Sequence, residues 1–310
     1  MDLRKNSMNI PFIKYSNIWL VMSGLIAAIC VVFLAMWGLK PGIDFTGGSL
    51  LELSFTNRPE SAEIQKVFDG FGLKNTSIQK TGDNGVILRT NFLSEEEHQR
   101  VLNEVKRKLQ TSDNQIKEDS FQTIGSSISN QLKSKAIWAI IFVNLGIIGY
   151  VAYAFRKVSR PVASWKYGAL AIVALLHDVL LVMGVFALLG RYFGVEVDTA
   201  FVVAILTVLG YSVNDTIVVY DRIRENLQRH GGDNFVDVVN MGLNQTLMRS
   251  INTTFKTLLP LIALYIIGGA SIHYFVLALL IGIASGAYSS IFIASPLLVV
   301  VYNWQERRRA

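Results

Sequence analysis

The sequence predicts a polytopic α-helical membrane protein with six transmembrane helices. One small α+β domain of ferredoxin-like pattern is inserted after the first span. Three observations carry this. Apolar residues, 51% of a 310-residue chain, are gathered into long runs rather than spread evenly. Lys and Arg concentrate in alternate connections between those runs. One long interval, Lys40–Lys135, changes to short strand and helix periods.

The first run, Ile18–Leu39 (IWLVMSGLIAAICVVFLAMWGL), has 22 residues and no charge. About 20 apolar residues cross a hydrocarbon core of ~30 Å. The run exceeds the ~7–15 apolar residues of a signal peptide. No small-x-small cleavage site follows it before Lys40-Pro41-Gly42, so it reads as an uncleaved anchor. The remaining spans are predicted at about 136–155, 169–189, 200–220, 247–267 and 275–302, with 1–17 and 303–310 as cytoplasmic ends. Inner connections hold Arg4, Lys5 and Lys14, then Arg156, Lys157, Arg160 and Lys166, then Arg222, Arg224 and Arg229, and finally Arg307, Arg308 and Arg309. The short outer connections hold only Arg191. Basic residues stay inside, which predicts cytoplasmic termini and an exported, periplasmic segment 40–135.

The net charge of +6 therefore comes largely from inner loops. Nucleic-acid binding wants one concentrated basic face, and none is seen. The single cysteine, Cys30, lies within the first span, so no intramolecular disulfide forms. No Gly-x-x-x-x-Gly-Lys-Ser/Thr pattern occurs, so ATP use by this chain is not expected. No cofactor or metal is predicted.

Within the exported segment, Ser49–Phe55 alternates Leu51, Leu53 and Phe55 on one side, a strand signal. Ser61–Phe71 places Ile64, Val67, Phe68 and Phe71 at helical spacing. Strands follow at Thr76–Lys80 and Val86–Thr90 around the turn Gly82–Gly85. Ser94–Leu109 opens with Ser94 and Glu97 as a capping box and lines up Val101, Leu102, Val105 and Leu109. A last strand is predicted over Gln115–Ile124. The order β-α-β-β-α-β is ferredoxin-like. His98 is expected to be solvated on the charged side of its helix, and no catalytic set emerges. Binding or docking is the expected role of the domain.

Polar residues inside the spans are more informative. His177 and Asp178 sit near the middle of the third. Neighbours on a helix point about 100° apart, yet both can face a bundle interior. Interhelical hydrogen bonding and a proton or ion path are both open readings. In the fourth span, Asp215 lies six residues before Asp221, about 9 Å inside the boundary at ~1.5 Å per residue. At that depth it must be protonated, paired or in a water-filled cavity. Asn214 is beside it. In the fifth, Arg249, Asn252, Thr253, Lys256 and Pro260 recur three or four residues apart as one polar stripe. Lipid penalises such a stripe, so it is expected to face the bundle interior and supply Arg249 or Lys256 to Asp215. In the sixth, Gly282, Gly286, Ser290 and Ala294 form a small-residue stripe suited to close helix approach. Asp221–Thr246 reads as a short amphipathic helix on the inner surface, after a Gly231-Gly232 turn.

Four stretches in order resemble the SecF family within SecD/SecF, the bacterial Sec protein-export membrane proteins. They are GIDFTGG (Gly42–Gly48), LLHDVLL (Leu175–Leu181), GYSVNDTIVVYDRIREN (Gly210–Asn226) and NQTLMRSINTTFKTLL (Asn244–Leu259). The resemblance implies half of an RND-like twelve-span core, in the bacterial cytoplasmic (inner) membrane. It implies pairing with SecD, association with the SecYEG channel and YajC, and contact with unfolded preprotein. It further implies use of the proton-motive force late in export. By motif, the family's transmembrane Asp falls on Asp215 and its membrane-embedded Arg on Arg249. Asn214, Lys256, His177 and Asp178 are then supporting residues. Gly42, Asp44, Phe45, Thr46, Gly47 and Gly48 are the motif after the first span. Two departures stand out. Ile124–Leu132 (IGSSISNQL) lacks the Pro and second Gly of the family's hinge, and Lys256 stands where a neutral residue is expected.

Alternatives are a passive scaffold that stabilises the translocase and half of a small-molecule RND-type exporter. An intramembrane aspartyl protease using Asp178 and Asp215 lacks its Gly-x-Gly-Asp signature, because Gly210-Tyr-Ser-Val-Asn214 precedes Asp215.

Overall fold

The computed structural model describes residues 10–71, 73, 76–82, 84–154, 162–229 and 234–309. Arg4, Lys5, Arg156, Lys157, Arg160 and the Gly231-Gly232 turn lie outside the described residues. The chain divides into an α+β unit, Lys40–Trp138 with Glu196–Thr199, and a helical unit comprising the rest.

The α+β unit begins with a short helix α2 (Ile43–Thr46), numbered after the first long helix α1 (Ser16–Trp37). It continues through β1 (Gly48–Phe55), α3 (Ser61–Asp69), β2 (Ser77–Thr81), β3 (Gly85–Thr90), α4 (Glu95–Leu109) and β4 (Ile116–Ile124). The antiparallel sheet has the order β2-β3-β1-β4, with Leu51 opposite Leu88 and Phe121, and Leu53 opposite Val86. Successive strand residues point to opposite faces. Leu51, Leu53 and Phe55 therefore meet Ile64, Val67 and Phe68 of α3 and Val101, Leu102 and Val105 of α4 in one apolar core. The predicted capping box is present: Ser94 Oγ accepts from the Glu97 amide, and the Ser94 amide donates to Glu97 Oε2 at 2.8 Å. His98 corrects the solvated reading. It is buried, stacks on Phe121 with ring centroids 3.7 Å apart, and sits between Glu95 at 3.3 Å and Glu118 at 3.1 Å.

Among the described residues, six segments are long and apolar enough to cross a membrane: Ile13–Trp37, Ser126–Val151, Trp165–Phe193, Thr199–Arg229, Phe235–Ile267 and Ser271–Arg308. They correspond to α1, α5 (Ser126–Ala154), α6 (Ser164–Phe193), α7 (Thr199–Arg229), α8 (Phe235–Ile267) and the joined α9 (Ala270–Ser289) and α10 (Ser295–Arg309). Helix α5 starts at Ser126, ten residues ahead of the predicted span, since nothing in Ser126–Lys135 breaks a helix. The separate amphipathic helix before the fifth span is also corrected. Helix α8 is capped by Asn234, whose side chain accepts from the Val236 amide, and runs unbroken to Ile267. Phe235, Val238, Val239, Gly242, Leu243 and Thr246 bury along it without a breaker between them.

Between α9 and α10 lies a π-helical turn, Ser290–Ala294, that the sequence did not announce. The small-residue stripe does what its spacing predicts. A Cβ on Gly282 would lie 2.2 Å from Val208 Cγ2, and one on Gly286 would lie 2.9 Å from Ser212 Cβ. Helices α9 and α7 thus touch nearly backbone to backbone.

Candidate functional site

That close approach builds the site. The buried stripe of α7 carries Val208, Ser212, Asp215 and Val219. Asp215 is 8% exposed. Ser250 of α8 donates to its Oδ1 at 2.5 Å, and Ser290, first residue of the π turn, donates to its Oδ2. π turns inside α-helices widen the spiral and recur at functional sites. The turn also frees the Ala294 carbonyl, which accepts from the Tyr220 hydroxyl at 2.9 Å.

The expected cations are elsewhere. Arg249 and Lys256 are exposed on the chain taken alone, as are Asn252, Thr253 and Pro260. Among the described residues neither Arg249 nor Lys256 forms an ion pair with Asp215. The buried stripe of α8 is Thr246, Ser250 and Thr254, displaced by one residue, or about 100°, from the predicted one. Asn214 is exposed on the outer face of α7 with Val203, Thr207 and Gly210.

A second carboxylate lies deeper. Asp178 is 0% exposed and accepts the hydroxyls of Ser212, Ser285 and Ser289, each at 2.6 Å. His177 Nδ1 is 3.3 Å from Asp178 Oδ1. Sequence reasoning missed Ser250, Ser285, Ser289 and Ser212. The spacing of Ser285, Ser289 and Ser212 beside the Gly stripe was the available signal. A serine hydroxyl donates and accepts, so each carboxylate can be held as an anion by inward donation or as an acid once one hydroxyl turns round.

In the α+β unit, the Gly42–Gly48 motif grips the connection that leads into α7. The Gly42 amide donates to the Val197 carbonyl and the Val197 amide to the Lys40 carbonyl, both at 2.8 Å. Asp44 Oδ2 accepts the Thr199 amide at 2.8 Å and also the Thr199 hydroxyl. Thr46 Oγ1 donates to the Gly42 carbonyl at 2.9 Å, and Phe45 is half-buried. Gly47 and Gly48 have φ of 74° and 120°, and a Cβ on Gly48 would lie 2.6 Å from the Thr90 carbonyl oxygen. Only glycine adopts such φ without strain. Glu196 joins the grip through Arg89 at 2.7 Å and Lys40 at 3.3 Å. Burial pushes the Glu196 carboxyl above its ordinary range, and the two cations offset this only in part.

Residues 104–304 match the family described as "Protein export membrane protein SecD/SecF, C-terminal", and residues 32–57 match the "SecD/SecF GG Motif". The chain is 41% identical to a protein translocase subunit SecF from Thermobaculum terrenum, covering 96% of this chain and 95% of the relative. It is 39% identical to one from Synechocystis, covering 96% of each. A crystal structure of SecDF, a translocon-associated membrane protein from Thermus thermophilus, superposes with TM-score 0.83 at 32% identity. That match covers 98% of this chain, which spans 40% of the length of the SecDF chain. With six apolar spans, both family regions in order and relatives matched nearly end to end, this chain belongs to the SecD/SecF family of protein export membrane proteins.

Proposed function

We propose that this chain is a SecF-type subunit of the Sec translocase. It pairs with SecD in the cytoplasmic membrane and uses the proton-motive force to promote late steps of preprotein export. The observation that carries the reading is Asp215. A carboxylate in mid-span, held among the described residues by neutral hydroxyls, can lose or gain a proton without breaking a permanent ion pair. Desolvation makes a permanent charge there costly. The subunit is a transport component rather than an enzyme, acting with SecYEG and YajC on unfolded preprotein. The termini are cytoplasmic and the α+β unit periplasmic, on the Lys and Arg asymmetry of the connections.

The stripe Arg249, Asn252, Thr253, Lys256 supports the partner. Left toward lipid it would be penalised, so a second six-span subunit covers it, and SecD supplies that subunit. Arg249 directly precedes Ser250, the hydroxyl that holds Asp215. The two positions differ by about 100° of helix rotation, and the long Arg side chain needs only part of it. A roll of α8 exchanges a neutral donor for a cation at Asp215 and so expels the proton. This is the relay role of Arg249.

The test is gradient-driven export by the SecD-containing complex in proteoliposomes. Asp215→Asn is expected to assemble normally and to lose the stimulation that a proton gradient gives. Full stimulation of that variant overturns the reading. Dissociation of the complex in its place supports the passive-scaffold alternative. A sodium gradient imposed at constant pH is expected to give no stimulation.

A further inference from the structure

Asp178 is not used by the relay just described. Its two oxygens accept three serine hydroxyls, from Ser212 on α7 and from Ser285 and Ser289 on α9, each at 2.6 Å. Holding helices together needs no carboxylate: neutral hydroxyls do so, and an ionisable side chain inside a membrane is costly. Beside it, His177 is 7% exposed, directs Nδ1 to Asp178 and leaves Nε2 without a hydrogen-bond partner among the described residues. An imidazole with its proton on Nδ1 presents Nε2 as a bare acceptor.

Among the described residues, few titratable groups on the packed elements lie near this pair. Tyr288 of α9 has its ring 6.4 Å from that of His177, and its hydroxyl is engaged with Ser23 of α1. Cys30 of α1 packs at Gly184 of α6. Helix α7 brings Tyr211 and Asp215. Among the described residues, His177 is the only group that can be cationic within ion-pair distance of Asp178. The consecutive residues Ser289 and Ser290 serve Asp178 and Asp215 respectively. Ser212, which donates to Asp178, lies one turn before Asp215 on α7. The junction of α9 with the π turn therefore touches both carboxylates.

We infer that Asp178, with His177, is a second proton-binding site of this chain, coupled to Asp215 through the adjacent hydroxyls of Ser289 and Ser290. The inference rests on the reading of Asp215 as a proton carrier. The ligand is H⁺ itself. On loading, an O–H bond forms at one Asp178 oxygen, and the serine hydroxyl that had donated there turns to accept. On unloading, the same bond breaks, the proton leaves and the hydroxyl turns back. Nothing is oxidised or reduced. Reversal of Ser289 changes the donors next to Ser290, and through Ser290 the occupancy of Asp178 is felt at Asp215.

The experiment is infrared difference spectroscopy of the SecD-containing complex after a pH jump, paired with gradient-driven export. Asp215→Asn and Asp178→Asn are each expected to remove a different carboxylic-acid band from the wild-type spectrum. Ser289→Ala is expected to move the band that Asp178→Asn removes. Export stimulation is expected to be lost in Asp178→Asn and partly restored in Asp178→Glu. An Asp178→Asn complex with the wild-type spectrum, or with wild-type gradient-driven export, overturns the inference. Where Asp178→Asn does not assemble, identical carboxyl bands in wild type and Ser289→Ala overturn it. If Asp215→Asn keeps full stimulation, the reading of Asp215 falls. If only Asp178→Asn keeps it, this inference falls alone.

Discussion

In the α+β unit the apolar core centres on Leu53, Ile64, Phe68, Val86, Leu88 and Val105, while charged residues line the outer face of α4. In the helical unit the buried set includes Asp178, Ser212, Asp215, Thr216, Ser250, Ser285, Ser289 and Ser290. Its outward-facing side chains are Ile18, Val21, Leu25, Phe142, Phe255 and Ile262. The difference reflects the solvent. Water drives apolar groups together in the first unit. Between helices in lipid that drive is absent, and close packing and hydrogen bonds take its place. A buried serine ties strand to loop in the first unit, where Ser49 accepts the Leu93 amide and pairs with Thr123, and in the second it joins helix to helix around a carboxylate.

Substitutions in the two units separate these two ways of packing. The largest effect is expected from Leu53→Ala, which empties the middle of an apolar core and costs about 2–5 kcal/mol. Hydrogen exchange of β1 and β3 amides in the full chain reads this, and a loss below about 1 kcal/mol would show that the sheet is not held by its core. Gly282→Ala comes next. Its Cβ meets Val208 Cγ2 at 2.2 Å, and overpacking costs about 1–3 kcal/mol. Thermal unfolding in detergent should show the loss, and Val208→Ala on the same chain should recover most of it. Absence of that recovery would mean that α7 and α9 do not depend on close contact. Ser94→Ala removes a side-chain cap on α4 and is expected to cost about 0.5–2 kcal/mol, visible as faster exchange of the first-turn amides of α4 alone.

How far the sequence could be read also differs between the units. The strands and helices of the α+β unit follow from alternation and helical spacing, because one face of each meets water. His98 was readable too: it precedes Val101 and Leu102 by three and four residues and so shares their buried face. The six spans were equally plain from apolar length. What could not be read was the rotation of α8. Apolar residues occur on all its sides, so its cations were the only markers of a face, and they mark the one left open on this chain. Ser250, one residue from Arg249, carried no signal of its own. The π turn at Ser290 had none either, since no residue type demands it.

The smallest effect concerns the grip on the connection into α7, where the α+β unit half-buries the Glu196 carboxyl. Burial raises the Glu196 carboxyl and Arg89 and Lys40 offset this in part. Between its ordinary value and the raised one, the folded state binds more protons than the unfolded state. The stability slope with pH is then negative. The grip is therefore fully stabilised below the ordinary carboxylate range and weakens as pH rises through the raised value toward neutrality. Exchange of the Val197 and Thr199 amides, corrected for intrinsic rates, is expected to report more opening near neutral pH than in mild acid. Glu196→Gln keeps the shape and removes the titration, so it should flatten that dependence. A wild-type grip that tightens as pH rises would show that the Arg89 ion pair at 2.7 Å outweighs desolvation there.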